Sequence, residues 1–594
     1  MIEYLRLAFG TIVVLLPGLA LGRSASAVLA WATAAVFVAW AVVFAVHSNV
    51  KLAAAIVLLL FVAALVVRRR RGADHSAGSW PWAAGGVVLG WLLWHVAGAV
   101  VGDGLFHEGR VRKLVEFGDL HLRTVDEFRD GGLHPGYAFP LWHGFNALVA
   151  WFSGLDPSVV MRHESSLLAP LALAVAFEAG EAVFRSPRAG TAVALASLAI
   201  FCFGPGHGGS WATLSQPGSA ARQLFVPAAL ALFFRRDLPA TFVVFGALAL
   251  VHPTYAIFLL IPLAVVAWWE WRPFLAALVP LVLAYLWLRP LLDETNTHDP
   301  TAKQRLNDLA QYRDQLVISN PHHFRLAPEV FGRSGAVAVA ALVLLPLSAL
   351  GLRHRWGKFV LGGFLLVLLL MEVPWLFVHF SDAASLSQSR RAAGFAPIPF
   401  AFAAGIALAS RRVWAVPLAL AAGIVLQLLW PGDFDYGLRN GGPAAATWIA
   451  LVGGLLALAL VVWRRWSLEP RWGVGALAVA AFVVPVFVHG LWHWSPATPA
   501  DPNALSPRLV HNLRTKVPKG AIVIAPIKTS YQIEAVAPLY VVAAPLTHVA
   551  NTKANRARER WNDVRGWILS NNPAVARKWG ATWQIRNGRL SRVG

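Results

Sequence analysis

The sequence predicts a polytopic α-helical membrane protein of about sixteen transmembrane helices, with a small soluble α/β domain at its C-terminal end. Three observations predict it. Of the 594 residues, 57% are hydrophobic and only 14% are charged, against roughly 25% in soluble domains. Apolar segments of about 15–23 residues recur along the chain, too long for barrel strands and long enough for spanning helices. After about residue 495 these segments stop, and Pro496, Pro499 and Pro502 mark a linker into a polar stretch.

Apolar length sets the spans at 6–22, 27–46, 50–67 and 81–102, then 163–184, 189–206, 221–235, 238–252, 253–270 and 273–290. The last six are 333–352, 358–379, 393–410, 412–430, 444–463 and 474–493. The N-terminus lacks a basic leader and a small-residue cleavage site, so it reads as a retained helix. Three regions follow: additional N-terminal helices over 1–80, a membrane core over 81–494, and the polar domain over 495–594.

The net charge of +21 points to lipid headgroups and not to nucleic acid. Much of it lies in short clusters between spans: Arg185/Arg188, Arg235/Arg236, Arg353/Arg355/Lys358, Arg411/Arg412 and Arg464/Arg465. Lys and Arg accumulate on the cytoplasmic side of membranes. Segment 138–155 is apolar enough to be taken for a span, but a crossing there would turn every later cluster outward. It is therefore expected to lie flat in the outer interface. The run Arg68–Arg71 marks the inner side before the span 81–102, which places Asp103 and the loop 103–162 outside. The single cysteine, Cys202, excludes an intrachain disulfide and a cysteine metal site.

In the C-terminal domain, Ala521–Ala525 and Leu539–Ala543 are β-branched apolar runs with the character of buried strands. The segment 555–571 reads as a helix, and 579–590 as a last strand and turn. Loop 291–332 reads as helical and mobile, and 204–220 as a Gly-rich turn.

Candidate chemistry concentrates in the first outer loop. If it opens as a helix, Asp103 and His107, four apart, share a face, and Glu108, Arg110, Arg112 and Lys113 follow within about three turns. Asp126, Glu127, His134 and His143 lie further on. The plain alternative is a solvated amphipathic helix. A second group is Arg390 and Arg391 in SLSQSRR, at an outer span end where the charge rule leaves them no purpose. A guanidinium fork suits phosphate oxygens; the alternative is a structural pair with Asp382. A third is Arg222-Gln223 at the start of a span, near His252 and Tyr255. Polar groups at such depths are costly unless paired or functional. His322-His323 is a weak metal candidate, because adjacent side chains point apart, and GPGHGG lacks the context of a nucleotide loop.

The opening GDGLFHEGRVRKL resembles the GT-C superfamily of membrane glycosyltransferases. There the first large outer loop begins with an acidic residue just after a span, and a helix carrying Arg follows. The stretch HPGYAFPLWHGFNALVAWFSGLDPSVVMRHE resembles the juxtamembrane helix and turn that follow in mannosyl- and aminoarabinosyltransferases. Here Pro135 and Pro140 stand apart and no Asp-x-Asp pair appears, so the subfamily stays open, as does use of a divalent cation, Mg or Mn. The resemblance implies an inverting, actinobacterial-type cell-envelope enzyme. Its donor would be a polyprenyl-phosphate sugar, and its acceptor an envelope glycan, lipid or protein. Asp103 would act as general base with Glu108 as second acid. His107, Arg110, Arg112, Lys113, Glu127, His134, His143, Arg222, His252, Tyr255, Arg390 and Arg391 would contact substrate. The active site and the C-terminal domain would share the extracytoplasmic side of the cell membrane. A lipid or sugar transporter is the alternative; it calls for ionisable residues near the midplane and related halves.

Overall fold

The computed structural model describes residues 2–71, 78–295, 301–395, 397–430, 442–546, 549–550, 552–570 and 572–593. Every expected span falls on helix, but fewer helices than about sixteen are long enough to cross. Among the described residues, eight qualify by length and composition. A ninth arises if Arg355–Glu372 and Pro374–Ala384, bent by 88°, form one broken span. Counting apolar residues overlooks where helices stop. His252 is extended (φ −159°) ahead of Pro253, as a residue before proline prefers. It leaves the apolar helices Leu238–Val251 and Pro253–Ala264, about 21 and 18 Å long at 1.5 Å per residue.

The N-terminal helices are α1 (Ile2–Leu21), α2 (Ala25–Ala45), α3 (Val50–Arg71) and α4 (Trp80–Val96). They share one apolar core with the later helices, extending from Leu7 to Val486. Helix α4 ends at Val96, so the apolar stretch up to Gly102 is not all helical, and residues 97–102 form an irregular link. Arg162 pins this link by donating from Nε and Nη2 to the Ala97 carbonyl at 3.1 and 3.0 Å. The Ala99 N–H donates to the Thr498 carbonyl at 2.7 Å.

Next come α5 (Asp103–Glu116), α6 (Leu141–Ser153) and α7 (Pro157–Phe184). Gly86 and Gly90 bring α4 onto α7. A Cβ on either would strike the backbone of Pro170 or Ser166, the close approach that small residues four apart permit in membrane helices. Helix α6 is the segment expected to lie flat in the outer interface, and it is enclosed by protein. Nearly all its residues are buried, and it packs beneath α1, α2, α3, α5 and α7. A helix apolar on every face belongs inside. Arg6 holds its end, donating to the Ser153 carbonyl at 2.9 Å and the Gly154 carbonyl at 2.5 Å.

The two ends of α7 define the two ends of the bundle. Its first turn faces α5. Its last turns meet the basic clusters: Arg235 pairs with Glu178 and Glu181 at 3.3 and 2.8 Å, and Arg355 donates to the Ala182 carbonyl at 2.9 Å and Glu270 at 3.3 Å. Arg236 joins at Glu270, 2.7 Å away. The 28 residues of α7 separate these ends by about 42 Å.

Loop 291–332 holds a helix, Ala302–Gln311, and a hairpin that sequence reading missed: β1 (Leu316–Asn320) antiparallel to β2 (His323–Leu326). The C-terminal domain is a four-stranded sheet in the order β4-β3-β5-β6, with β3 (Ile522–Ile524), β4 (Tyr540–Val541), β5 (Trp583–Arg586) and β6 (Arg589–Arg592). The strands at 522 and 540 match the two apolar runs, and Ala557–Ser570 is the expected helix. Asn587-Gly588, both at positive φ, close the last hairpin as such pairs do. Phe106 and Phe128 of the first loop sit in this domain's apolar core, so loop and domain pack as one body.

Candidate functional site

Asp103 is the first residue of α5, preceded by Gly102 at φ +54° and ψ −118°, a backbone region that favours glycine. Its carboxylate is 51% exposed, whereas His107, one turn on, is 1% exposed. His107 Nε2 lies 3.7 Å from Asp103 Oδ1, and His107 Nδ1 lies 2.9 Å from His143 Nε2. The solvent-accessible carboxylate thus stands in front of a buried histidine pair.

The cations of α5, expected as substrate contacts, are each paired inside the protein. Arg110, Arg112 and Lys113 are all buried. Arg110 Nη2 donates to Asp126 and, at 2.9 Å, to Glu127. Lys113 Nζ donates to Glu534 Oε1 and the Asp126 carbonyl, each at 2.7 Å. Arg112 grips Asp156 and Glu116 and reaches the Ala535 carbonyl. These three tie the loop to α7 and to the C-terminal domain, and they are turned from solvent. Glu127 is spent on the same frame. Asp126 and Glu127 compete for one guanidinium: burial pushes Asp126 up to about 7, while Arg110 wins at Glu127 and holds it low.

Glu108 faces the start of α7, bonded to Ser158, and is 3% exposed. Burial pushes it up to about 7. His134 accepts from the Gly136 N–H at 3.0 Å, shaping the turn that carries Tyr137.

The remaining candidates converge. Tyr137 stands edge-on to His107 and His143, with ring centroids 5.1 and 5.5 Å away, and 6.4 Å from His252. His252 is 4.4 Å from Tyr255, and the Arg222 guanidinium lies 5.9 Å over the Tyr255 ring. Burial pushes His252 down to about 3, helped by the charges of Arg391 and Arg222 and opposed by Asp103. Burial also raises the Tyr137 phenol, with Asp103 adding and Arg391 opposing. The charges of Asp103 and Arg391 thus both act on Tyr137 and His252, and that of Arg222 acts on His252. Sequence reading missed Tyr137; its place in the His-Pro-Gly-Tyr turn was the available signal.

The adjacent arginines differ. Arg390 donates to Gln315 Oε1 at 2.7 Å and lies 4.2 Å over the Tyr312 ring, held by loop 301–332. Asp382 pairs with Arg305, 2.8 Å away, and not with either of them. Arg391 makes no ion pair with any described residue, and Arg222 Nε is buried without a hydrogen-bond partner. Arg222 also borders an apolar cavity of about 70 Å³ between the helices, walled by Leu230, Leu259, Phe359, Gly394 and Phe400; it is the only charged residue on the described wall.

Two buried carboxylates within the spans also escaped sequence reading. Glu164 accepts from Thr11 at 2.9 Å. Glu178 accepts from the Ala25 and Ser26 N–H groups at 2.8 and 3.0 Å, closing the start of α2. Among the described residues no group of three or more His, Cys, Asp or Glu is arranged to hold a metal ion.

No known family's sequence model matches the chain, and no curated protein does. Solved structures of the Archaeoglobus fulgidus oligosaccharyltransferase are similar to it. The apo form is 12% identical, with a TM-score of 0.44 over 85% of this chain and 69% of that one. The form tethered with an acceptor peptide gives 12% and 0.45 over the same shares. The complex with an inhibitory peptide and a dolichol-phosphate gives 11% and 0.43, again over 85% and 69%.

Proposed function

We propose that this chain is an inverting membrane glycosyltransferase that moves a sugar from a polyprenyl-phosphate donor to an envelope glycan, lipid or protein hydroxyl on the outer face of the membrane. One observation carries the reading. A half-exposed carboxylate, Asp103, acts on the same buried His252 as the charges of Arg222 and Arg391, and Arg222 also sits on the wall of an apolar cavity between helices. A lipid phosphate needs that combination: low-polarity space for its chain and guanidinium groups for its oxygens.

Asp103 takes the proton of the acceptor hydroxyl as the hydroxyl oxygen forms its bond to the anomeric carbon. The bond between that carbon and the phosphate oxygen breaks, and the electron pair leaves with the lipid phosphate. Arg391 and Arg222 stabilise the growing charge. Glu164 and Glu178 have Thr11 and the start of α2 as partners, which weighs against a transport path through them. The outer placement is supported by the basic clusters, which lie at the end of α7 remote from Asp103.

The test uses purified protein in nanodiscs, a panel of labelled polyprenyl-phosphate pentoses and hexoses, and an envelope glycan extract. Transfer by the wild type should fall about 10²–10⁴-fold in Asp103→Asn, with binding of polyprenyl phosphate retained. Near-native transfer by Asp103→Asn, or no binding of polyprenyl phosphate by the wild type, overturns the reading.

A further inference from the structure

Two buried histidines stand behind Asp103, and general-base chemistry by a carboxylate does not by itself call for them. Their rings meet at a single point, His107 Nδ1 to His143 Nε2 at 2.9 Å, and both side chains are almost wholly enclosed, at 1% and 2% exposure. One nitrogen of this pair must donate and the other accept. The groups around them decide which. Asp103 and Arg110 come from α5, His143 from α6, Tyr137 and His134 from the turn before α6, and His252 from the junction of two helices.

His143 is held neutral by burial, reinforced by the nearby His107 and the Arg110 charge, so it has one N–H to give. If His107 carried its hydrogen on Nδ1, its Nε2 lone pair would face the Asp103 carboxylate 3.7 Å away, lone pair against negative charge. With the hydrogen on Nε2, the ring presents a donor to Asp103, and Nδ1 accepts from His143 Nε2. Of the two tautomers, only this one suits both neighbours. A buried partner that fixes a ring tautomer and so aims a second group is a known device in acid–base sites.

We propose that His143 is a positioning residue: it donates to His107 Nδ1, which fixes the His107 tautomer so that Nε2–H turns to the Asp103 carboxylate that receives the acceptor hydroxyl's proton. The proposal rests on the glycosyl-transfer reading for its consequence, but not for the tautomer itself.

Two measurements test it. In the transfer assay, His143→Leu should lower kcat about tenfold and leave donor KM unchanged, because a hydrogen bond to a charged group is worth about a tenfold change. The acid limb of its pH–rate profile should move up by about one unit, since Asp103 loses its donor. His143→Gln carries an amide N–H at the place of Nε2 and should restore most of the rate and the original limb. Equal loss in the Leu and Gln variants, or an unmoved acid limb, shows that His143 merely fills space. The second measurement needs no activity: nitrogen-15 spectra of histidine-labelled protein, with the His107 signal identified by its loss in His107→Gln. An Nε2-protonated His107 that becomes mixed in His143→Leu is expected; an Nδ1-protonated His107 in the wild type overturns the proposal. A wild type that transfers no sugar would remove the functional reading and leave this spectral result to decide the tautomer.

Discussion

Lys113 and Glu534, 421 positions apart in the chain, meet through Nζ and Oε1 at 2.7 Å, both almost wholly buried. The pair joins the helix that begins with Asp103 to the helix Ser530–Val536 of the C-terminal domain. Lys113 also lies 4.6 Å over the Tyr540 ring. Breaking a buried pair from one side leaves an uncompensated charge and costs about 3–5 kcal/mol. Lys113→Met should therefore lower the thermal midpoint sharply, and the double variant Lys113→Met/Glu534→Leu should recover much of it. Melts of the purified single and double variants check this; equal losses in both would show that the pair is not the dominant tie.

Arg390 and Arg391 should separate on titration with a polyprenyl-phosphate analogue. Arg391→Ala should weaken binding about ten- to a hundredfold, the worth of a charge-assisted bond to phosphate. Arg390→Ala should have a smaller effect, because Arg390 is already engaged by Gln315 and Tyr312. Arg391→Lys should restore charge but only part of the affinity, since an ammonium lacks the fork. Unchanged affinity in Arg391→Ala would move the phosphate to Arg222.

Glu108 gives a pH signature. Burial raises it from its ordinary 4.5 to about 7 in the folded chain, so the folded state binds the proton more tightly than the unfolded one. Its contribution to stability is then greatest at low pH, declines as pH rises from 4.5 to about 7, and stays low above that. Glu108→Gln remains neutral throughout. It should melt like the wild type near pH 4 and be more stable at pH 8, by on the order of 1–3 kcal/mol. Sugar transfer should persist in this variant, because Glu108 is turned toward Ser158 and away from Asp103's open face.

Sidedness is checked by cysteine labelling. Cys202 is buried, which leaves a clean background. Arg508→Cys, at an exposed position in the C-terminal domain, should react with a membrane-impermeant maleimide in intact cells. Arg236→Cys, at the basic end of the bundle, should react only after permeabilisation. The reverse pattern would place the site on the cytoplasmic side.

The sequence by itself determined the class of this protein. Apolar length and sparse charge dictate a helical membrane chain, because a backbone in lipid must satisfy its own hydrogen bonds. The strands at 522 and 540 and the helix 557–570 were legible from local pattern. Asp103, His107 and His143 were also legible as candidates, since their spacing and residue types are local properties. What only the tertiary structure decided is which polar groups meet each other and which meet solvent. Arg110, Arg112 and Lys113 read as substrate contacts until burial and their carboxylate partners, one of them more than four hundred residues away, made them a frame. Arg390 and Arg391 are indistinguishable in sequence; Tyr312 and Gln315 of another loop engage the first, and the second has no ion pair with any described residue. The fate of α6 was likewise undecidable locally, because an apolar helix has the same pattern whether it is covered by lipid headgroups or by five other helices. Charge and hydropathy are written residue by residue, but partners are assigned by packing, and packing joins positions that no local pattern connects.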